Sequence, residues 1–267
     1  MTLRQIIFVL FALLCLSLSA AHAQQPFVTD DADITNKGQW HFQFSNEYDL
    51  LQRSSYPSLK QNTAIFELDY GLFKGVEIGV DVPVLAVYNA PGQITPQTPF
   101  GIGDSTIHLK YIFYKERENS RLPAMALTMN VQFPTGNNRR QLGSGLTDYY
   151  LNGVLQKSLS KQTKLRLNGG LLFAGNTVNG VLGIRTRGRV FTGGASVVKQ
   201  VSKKLDLGAE LAGAVTRNFQ LSKGQLQGLV GGNYALRKNL TFDFGVVAGR
   251  FRASPRAGAQ VGISLDF

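Results

Sequence analysis

Cysteine is almost missing from this chain. Its single copy, Cys15, sits in an apolar run near the amino terminus. If that run is removed, the mature chain has neither a disulfide nor a thiol, which excludes a disulfide-stapled secreted fold. Histidine is scarce as well. Of three copies, His22 lies beside the leader's cleavage site, leaving only His41 and His108. No set of His, Cys and acids has metal-ligand spacing. Beyond Ala23 no apolar run approaches the roughly 20 residues that a membrane helix needs. Acids are outnumbered, 17 against 28 basic residues.

What the start does contain is a secretion signal. Arg4 precedes an apolar run from Ile6 to Leu18, and Ala21-His22-Ala23 presents small residues at the two positions a signal peptidase reads. The run is too short to span a bilayer. Cys15 follows Leu14, whereas a lipidated cysteine would want a small neighbour. We therefore divide the chain into residues 1–23, a cleaved signal; 24–37, without periodicity and carrying Asp30, Asp31 and Asp33; and 38–267. Loss of Arg4 leaves 27 basic residues against 17 acids, a net charge of +10. An exported protein seldom meets nucleic acid, so lipopolysaccharide phosphates or anionic solutes are the expected counterparts of that charge.

From residue 38 onward one pattern repeats. Ala259, Val261, Ile263, Leu265 and Phe267 alternate with Gln260, Gly262, Ser264 and Asp266. A two-residue period puts every apolar side chain on one face of a strand. Trp40, Phe42 and Phe44 alternate likewise, as do Phe66, Leu68 and Tyr70, or Leu240, Phe242, Phe244 and Val246. About twelve such stretches can be counted, and an even number is what a bacterial transmembrane barrel requires. Connections alternate in length. Short turns fall near Lys74, 160–162, 202–204 and 237–239; long stretches span 51–60, 88–105, 134–146, 174–188, 216–223 and 249–257. Short turns belong to the periplasmic side of such a barrel and long loops to the outside. Aromatic residues gather at both strand ends, where interface girdles belong. The competing fold is a soluble β-sandwich, which has no need for an apolar stripe on every strand. The expected fold is all-β: an antiparallel up-and-down transmembrane barrel of about twelve strands.

Three stretches carry a family resemblance: Pro26-Phe27-Val28-Thr29-Asp30-Asp31, Phe133-Pro134-Thr135-Gly136, and Leu142-Gly143-Ser144-Gly145-Leu146-Thr147-Asp148. In their order and spacing the chain resembles the outer-membrane family named after the meta-pathway of phenol degradation. The resemblance covers nearly the whole mature chain. It implies a barrel in the outer membrane of a Gram-negative cell that passes small solutes, aromatic or hydrophobic ones among them. It implies no cofactor and no catalytic residue. Among outer-membrane barrels a final strand ending in an aromatic residue, here Phe267, closes the barrel and is read by the assembly machinery.

The inward phase of the strands is charged. Glu67, Asp69, Glu77, Asp81, Asp206, Glu210 and Asp243 fall there with His108, Lys110 and Arg166. These are the candidate lumen-lining residues. They either set a field across an open path or neutralise one another and fill the barrel. Lys110 and Asp81 come from neighbouring strands and are expected to pair at mid-height as a constriction. Inward and wall glycines, Gly79, Gly170, Gly194 and Gly231 among them, either thin the lumen filling to leave a route or ease strand curvature. Arg139, Arg140, Arg185, Arg187, Arg189, Arg250, Arg252 and Arg256 fall in or beside the long connections. Arginine matches phosphate with two-pronged bonds, so this rim is expected to hold lipopolysaccharide or to gather anions. Residues 24–37 are either a loose periplasmic leader or a plug.

The functional expectation is a passive channel for small solutes. The alternatives are a plugged barrel with a structural or surface role and, third, a lipid-acting enzyme. An enzyme of that kind needs a serine, a histidine and an orienting group at the lipid face. Both histidines fall in the inward phase instead, with no serine at nucleophile-like spacing. The chain is expected not to be an enzyme. The processing expectation has a direct check: intact mass of protein from the outer-membrane fraction should begin at Gln24, and a mass retaining Met1 would refute the signal.

Overall fold

The computed structural model describes residues 26–53, 60–88, 98–118, 120–175, 182, 187–216 and 224–267. Among these, thirteen strands form a single antiparallel sheet. They are β1 Trp40–Leu50, β2 Lys60–Phe73, β3 Val76–Tyr88, β4 Phe100–Ile102, β5 Ser105–Tyr114, β6 Ala124–Phe133, β7 Asp148–Ser160, β8 Thr163–Ala174, β9 Gly188–Gln200, β10 Leu205–Thr216, β11 Gln225–Arg237, β12 Leu240–Arg250 and β13 Ala257–Asp266. Each long strand pairs with its neighbours in sequence, and β13 returns to β1. The result is a closed barrel of twelve strands, with β4 a three-residue spur on the outer end of β3. A single 3-10 turn, Asn138–Arg140, interrupts the β6–β7 connection.

Closure removes the free edge that an open sheet would expose. It is made by Phe42↔Leu265, Phe44↔Ile263 and their neighbours. Beyond the ladder, Trp40 N–H donates to the Phe267 carbonyl at 2.7 Å and Phe267 N–H to Trp40 at 2.9 Å. The terminal aromatic residue is thus stitched to the first residue of β1.

The alternation decides which face is which. Outward residues such as Ile107, Leu151, Leu211, Val230 and Val261 are large, apolar and exposed. Inward residues such as Gln43, Asp69, Lys110, Asn152 and Ser264 are polar and buried. A water-soluble protein is built the other way round. An apolar exterior on every strand with a polar interior is the signature of a barrel surrounded by lipid. Trp40, Phe73, Phe113 and Tyr234 are exposed at the short-turn end, and Tyr48, Phe133, Tyr149 and Phe173 at the long-loop end. These are the two girdles.

Two of the three sequence motifs bind the β6–β7 connection to the wall. Asp104 accepts hydrogen bonds from Gly136 N–H at 2.9 Å and Ser144 N–H at 2.6 Å. The Thr135 hydroxyl donates to the Gly103 carbonyl at 2.7 Å and accepts from Ser105 N–H at 2.8 Å. A Cβ on Gly143 would lie 2.3 Å from the Asp104 carboxylate, so this position must be glycine for the two to meet. Leu142 is thereby buried against Leu51, Leu85 and Val87 at the outer end of the barrel.

The two faces differ in what they tolerate. Val261→Arg places a charge on the lipid side near mid-strand and should cost about 2–4 kcal/mol. Gln132→Arg, on the inner wall, should be close to neutral. Heat-modifiable gel migration and urea unfolding in lipid will distinguish them, and equal effects would mean that the phase assignment is wrong.

Candidate functional site in the barrel lumen

Residues 26–37 run through the barrel from one wall to the other. At the start of the segment, Gln260 of β13 donates its side-chain amide to the Pro26 carbonyl. Phe27 is buried against Val198, Leu229 and Val247, an apolar patch on the inner wall of β9, β11 and β12. Burying a phenylalanine is worth roughly 1.5–3 kcal/mol. Glu210 of β10 then accepts two successive backbone amides, Val28 at 3.2 Å and Thr29 at 2.5 Å. The Thr29 hydroxyl lies 2.6 Å from the same carboxylate and 2.7 Å from Ser196. Asp30 N–H donates to the Asn168 side-chain carbonyl at 2.6 Å, and the Asn168 amide returns a bond to the Asp30 carbonyl at 3.0 Å.

Two neighbouring carboxylates occupy the middle of the lumen. Lys110 Nζ lies 2.7 Å from Asp30 and 3.2 Å from Asp31. Arg166 lies 3.1 Å from the other Asp31 oxygen. Thr128 donates to Asp30 at 2.6 Å. Lys110 is only 1% exposed and Asp31 2%, so these charges have left water and depend on each other. Burial alone would raise the Asp31 pKa. The Lys110 and Arg166 charges outweigh it and hold the carboxyl well below the usual range. A depressed pKa contributes stability that is fully present above the unfolded value and fades only as pH falls toward the folded one. The segment continues past Lys164, 3.0 Å from Asp33. Ala32 and Ile34 pack on Ile112, Ala124, Ala126 and Val154. Glu77 finally accepts Thr35 N–H at 2.6 Å, after which the chain enters β1.

The sequence-derived lumen residues lie on the inner wall, and all but Asp206 and Asp243 fall into two groups. Lys110, Arg166, Glu77 and Glu210 hold the segment. Glu67, Asp69 and Asp81 form an acidic wall on β2 and β3, around His108 of β5. His108 Nε2 lies 2.8 Å from Asp69, and Nδ1 lies 3.6 Å from Asp81. Asp243 accepts from Asn233 at 2.7 Å and Ser264 at 2.8 Å. Asp206 stands opposite Gln200 and Asn233 in register. The expected Lys110–Asp81 pair is not formed. The β3–β5 register sets Lys110 beside Glu77 and Asp81 beside Thr106, and the lysine turns to Asp30 and Asp31.

The glycines are not a vacant lane. A Cβ on Gly194 would meet Thr29 at 2.6 Å, on Gly208 Phe27 at 2.6 Å, and on Gly231 Pro26 at 2.7 Å. They make room for the segment itself. Gly79 likewise admits the His108–Asp69 contact, since a Cβ there would lie 1.8 Å from the carboxylate. Sequence reasoning missed Thr29, Asn168, Thr128, Gln156 and Ser196 as binding groups. They are uncharged, and their only signal was inward phase or membership of the Pro26–Asp31 stretch.

Above the segment, toward the long loops, lies a chamber of about 580 Å³. Phe27, Thr29 and Asp30 form its floor, and Glu47, Glu67 and Asp81 one side. Tyr150, Leu172 and Thr192 form the other. Arg139, Arg140, Arg187, Arg189, Arg250, Arg252 and Arg256 stand at the long-loop end; Arg185 lies outside the described residues. His41 pairs with Asp266 at 2.6 Å.

Lys110→Met tests the anchor. It takes the lysine cation from Asp30 and leaves Asp31 with Arg166, a loss of up to about 3–5 kcal/mol for a broken buried pair. Residues 26–37 should become open to protease in lipid-embedded protein while the barrel keeps its heat-modifiable band. Unchanged protection would refute the anchoring role.

Comparison with known proteins agrees with this architecture. The COG4313 outer membrane channel from Pseudomonas putida F1 superposes with a TM-score of 0.68 at 15% identity, covering 90% of this chain and 100% of that one. The KdgM porin gives 0.56 at 10% identity, covering 85% and 99%. The NanC porin gives 0.54 at 9% identity, covering 85% and 98%. At such identities the likeness concerns the fold. No curated protein sequence is significantly similar to the chain. The profile of the family described as "Putative MetA-pathway of phenol degradation" matches residues 23–267, and the chain belongs to that family.

Proposed function

We propose that the protein is an outer-membrane channel for small solutes in which the amino-terminal segment is the barrier. One observation carries the reading: a chamber on the long-loop side has Phe27 to Asp30 of the docked segment as its floor. A solute entering from outside meets that floor before it meets the periplasm. Apart from a parallel bridge between Lys37 and Gly71 beside β1, the segment is held by ion pairs, side-chain hydrogen bonds and apolar contacts rather than by strand pairing, so residues 26–36 can leave without opening the barrel wall.

The chamber favours compounds with an apolar face. Tyr150 and Leu172 offer contact surface, while Glu47, Glu67 and Asp81 on the other wall disfavour anions. This supports small aromatic or otherwise apolar neutral solutes, in line with the family. Arg139, Arg140 and the other outer arginines suit lipopolysaccharide phosphates. The histidines lie inside the lumen, away from lipid, which argues against lipid hydrolysis.

Conductance in planar bilayers decides between a channel and a permanently plugged barrel. Purified protein should open rarely, and Asp30→Asn with Asp31→Asn should raise open probability several-fold. Deleting the gene should slow uptake of a small aromatic at limiting concentration and leave small sugars unaffected. No conductance from either protein, with uptake unchanged, would establish the plugged barrel instead.

A further inference from the structure

The outer surface carries a second feature, at the short-turn end. Arg121 and Pro123, in the β5–β6 connection, stand over the lipid-facing wall of β7 and β8. Between them and Leu155, Lys157, Leu165 and Leu167 lies a groove of about 190 Å³. Its floor is set by register: Leu155 pairs with Leu167 and Lys157 with Leu165. All four project from the face that meets lipid.

The groove's charge is one-sided. Lys157 is spoken for, its ammonium 2.5 Å from Glu116 and also donating to the Ser120 carbonyl. Arg121 is exposed and has no ion pair among the described residues. Lys161 lies in the adjoining β7–β8 turn, and Lys199 lies one strand further, opposite Thr163. Lys203 and Lys204 occupy the next short turn, and all four lysines are exposed. Apart from Glu116, already paired, Glu118 is the acid nearby in sequence. Apolar walls open to the membrane, beneath unneutralised cations at its boundary, complement one kind of molecule: an acyl chain attached to an anionic headgroup.

We infer that this groove binds an anionic glycerophospholipid of the periplasmic leaflet. The acyl chain lies along Leu155, Leu165 and Leu167, and the phosphate meets Arg121. Lys161 and Lys199 extend the positive field for a headgroup with no cation of its own. The short-turn position selects this leaflet, and with it glycerophospholipid rather than lipopolysaccharide. A zwitterionic headgroup fits less well because its ammonium repels the same residues. The site is on the outside of the barrel and does not depend on conduction.

Native mass spectrometry of the whole protein from detergent micelles supplies the test, with phosphatidylglycerol and phosphatidylethanolamine as probes. Phosphatidylglycerol should remain bound at collision energies that strip phosphatidylethanolamine. Arg121→Glu should lower the phosphatidylglycerol-bound fraction at least five-fold. Lys199→Glu should lower it less, and Arg139→Glu at the opposite end should leave it unchanged. Because these side chains are exposed, the variants should keep heat-modifiable migration, which shows that the barrel is intact. Equal retention of the two lipids, or full retention by Arg121→Glu, would overturn the inference.

Discussion

Asp30 and Asp31 are adjacent carboxylates in a space that admits little water, and the rest of the lumen is arranged around that fact. An unpaired buried charge is untenable, so Lys110 and Arg166 must reach them from β5 and β8. Those cations would be equally untenable without the acids. The barrel wall and the segment therefore need each other electrostatically, and the segment's backbone also relies on the wall, through Glu210, Asn168 and Glu77. Such a contact is specific and strong while intact, yet confers little advantage over an apolar core. That combination suits an element that must sit in one place and also be able to leave it.

The inner wall is asymmetric for the same reason. Beneath Phe27 it is lined by Val198, Leu229 and Val247, with glycines at 208 and 231 where the chain comes closest. Beyond Asp31 it presents Lys164 and a second apolar patch of Ile112, Ala124, Ala126 and Val154, while the acidic wall around His108 borders the chamber. The first patch fixes the segment's beginning, the cations its middle, and Glu77 its end. A single polar lining would hold the chain in several registers. Three chemically different stations hold it in one.

Much of the barrel was legible because strand geometry is written with period two. Trp40–Leu50 and the closing strand could be read nearly to the residue, and so could the inward position of Glu67 or Glu210. Register was not legible, because alternation is unchanged by sliding one strand two residues past another. That is why Lys110 was expected beside Asp81 when it stands opposite Glu77. β4 is too short, at three residues, to show any period. The path of residues 26–37 was invisible for a different reason. Its contacts join positions far apart in the chain, several by more than a hundred residues, such as Thr29 with Glu210 and Asp30 with Asn168, and an aperiodic stretch states no partner. Gly194 and Gly231 misled in the same way, since atoms that fill their space belong to a segment whose position had to be known first.

The net positive charge also resolves into places. Inside the barrel acids prevail, so the excess of lysine and arginine belongs to the two rims. At the long-loop end it is mainly arginine; at the short-turn end, around β7 to β10, mainly lysine. The two side chains differ in what they do best. Arginine's planar fork fixes a phosphate in two-pronged geometry, whereas lysine acts as a hydrated point charge on a flexible stem. A rim facing closely packed, cross-linked phosphates is served by the first. A rim facing fluid phospholipid would be served by the second; Arg117, Arg121 and Arg237 are the arginines at that end among the described residues. The charge whose expected counterparts were lipopolysaccharide phosphates or anionic solutes thus resolves, once the lumen acids are set aside, into the two rims of the barrel.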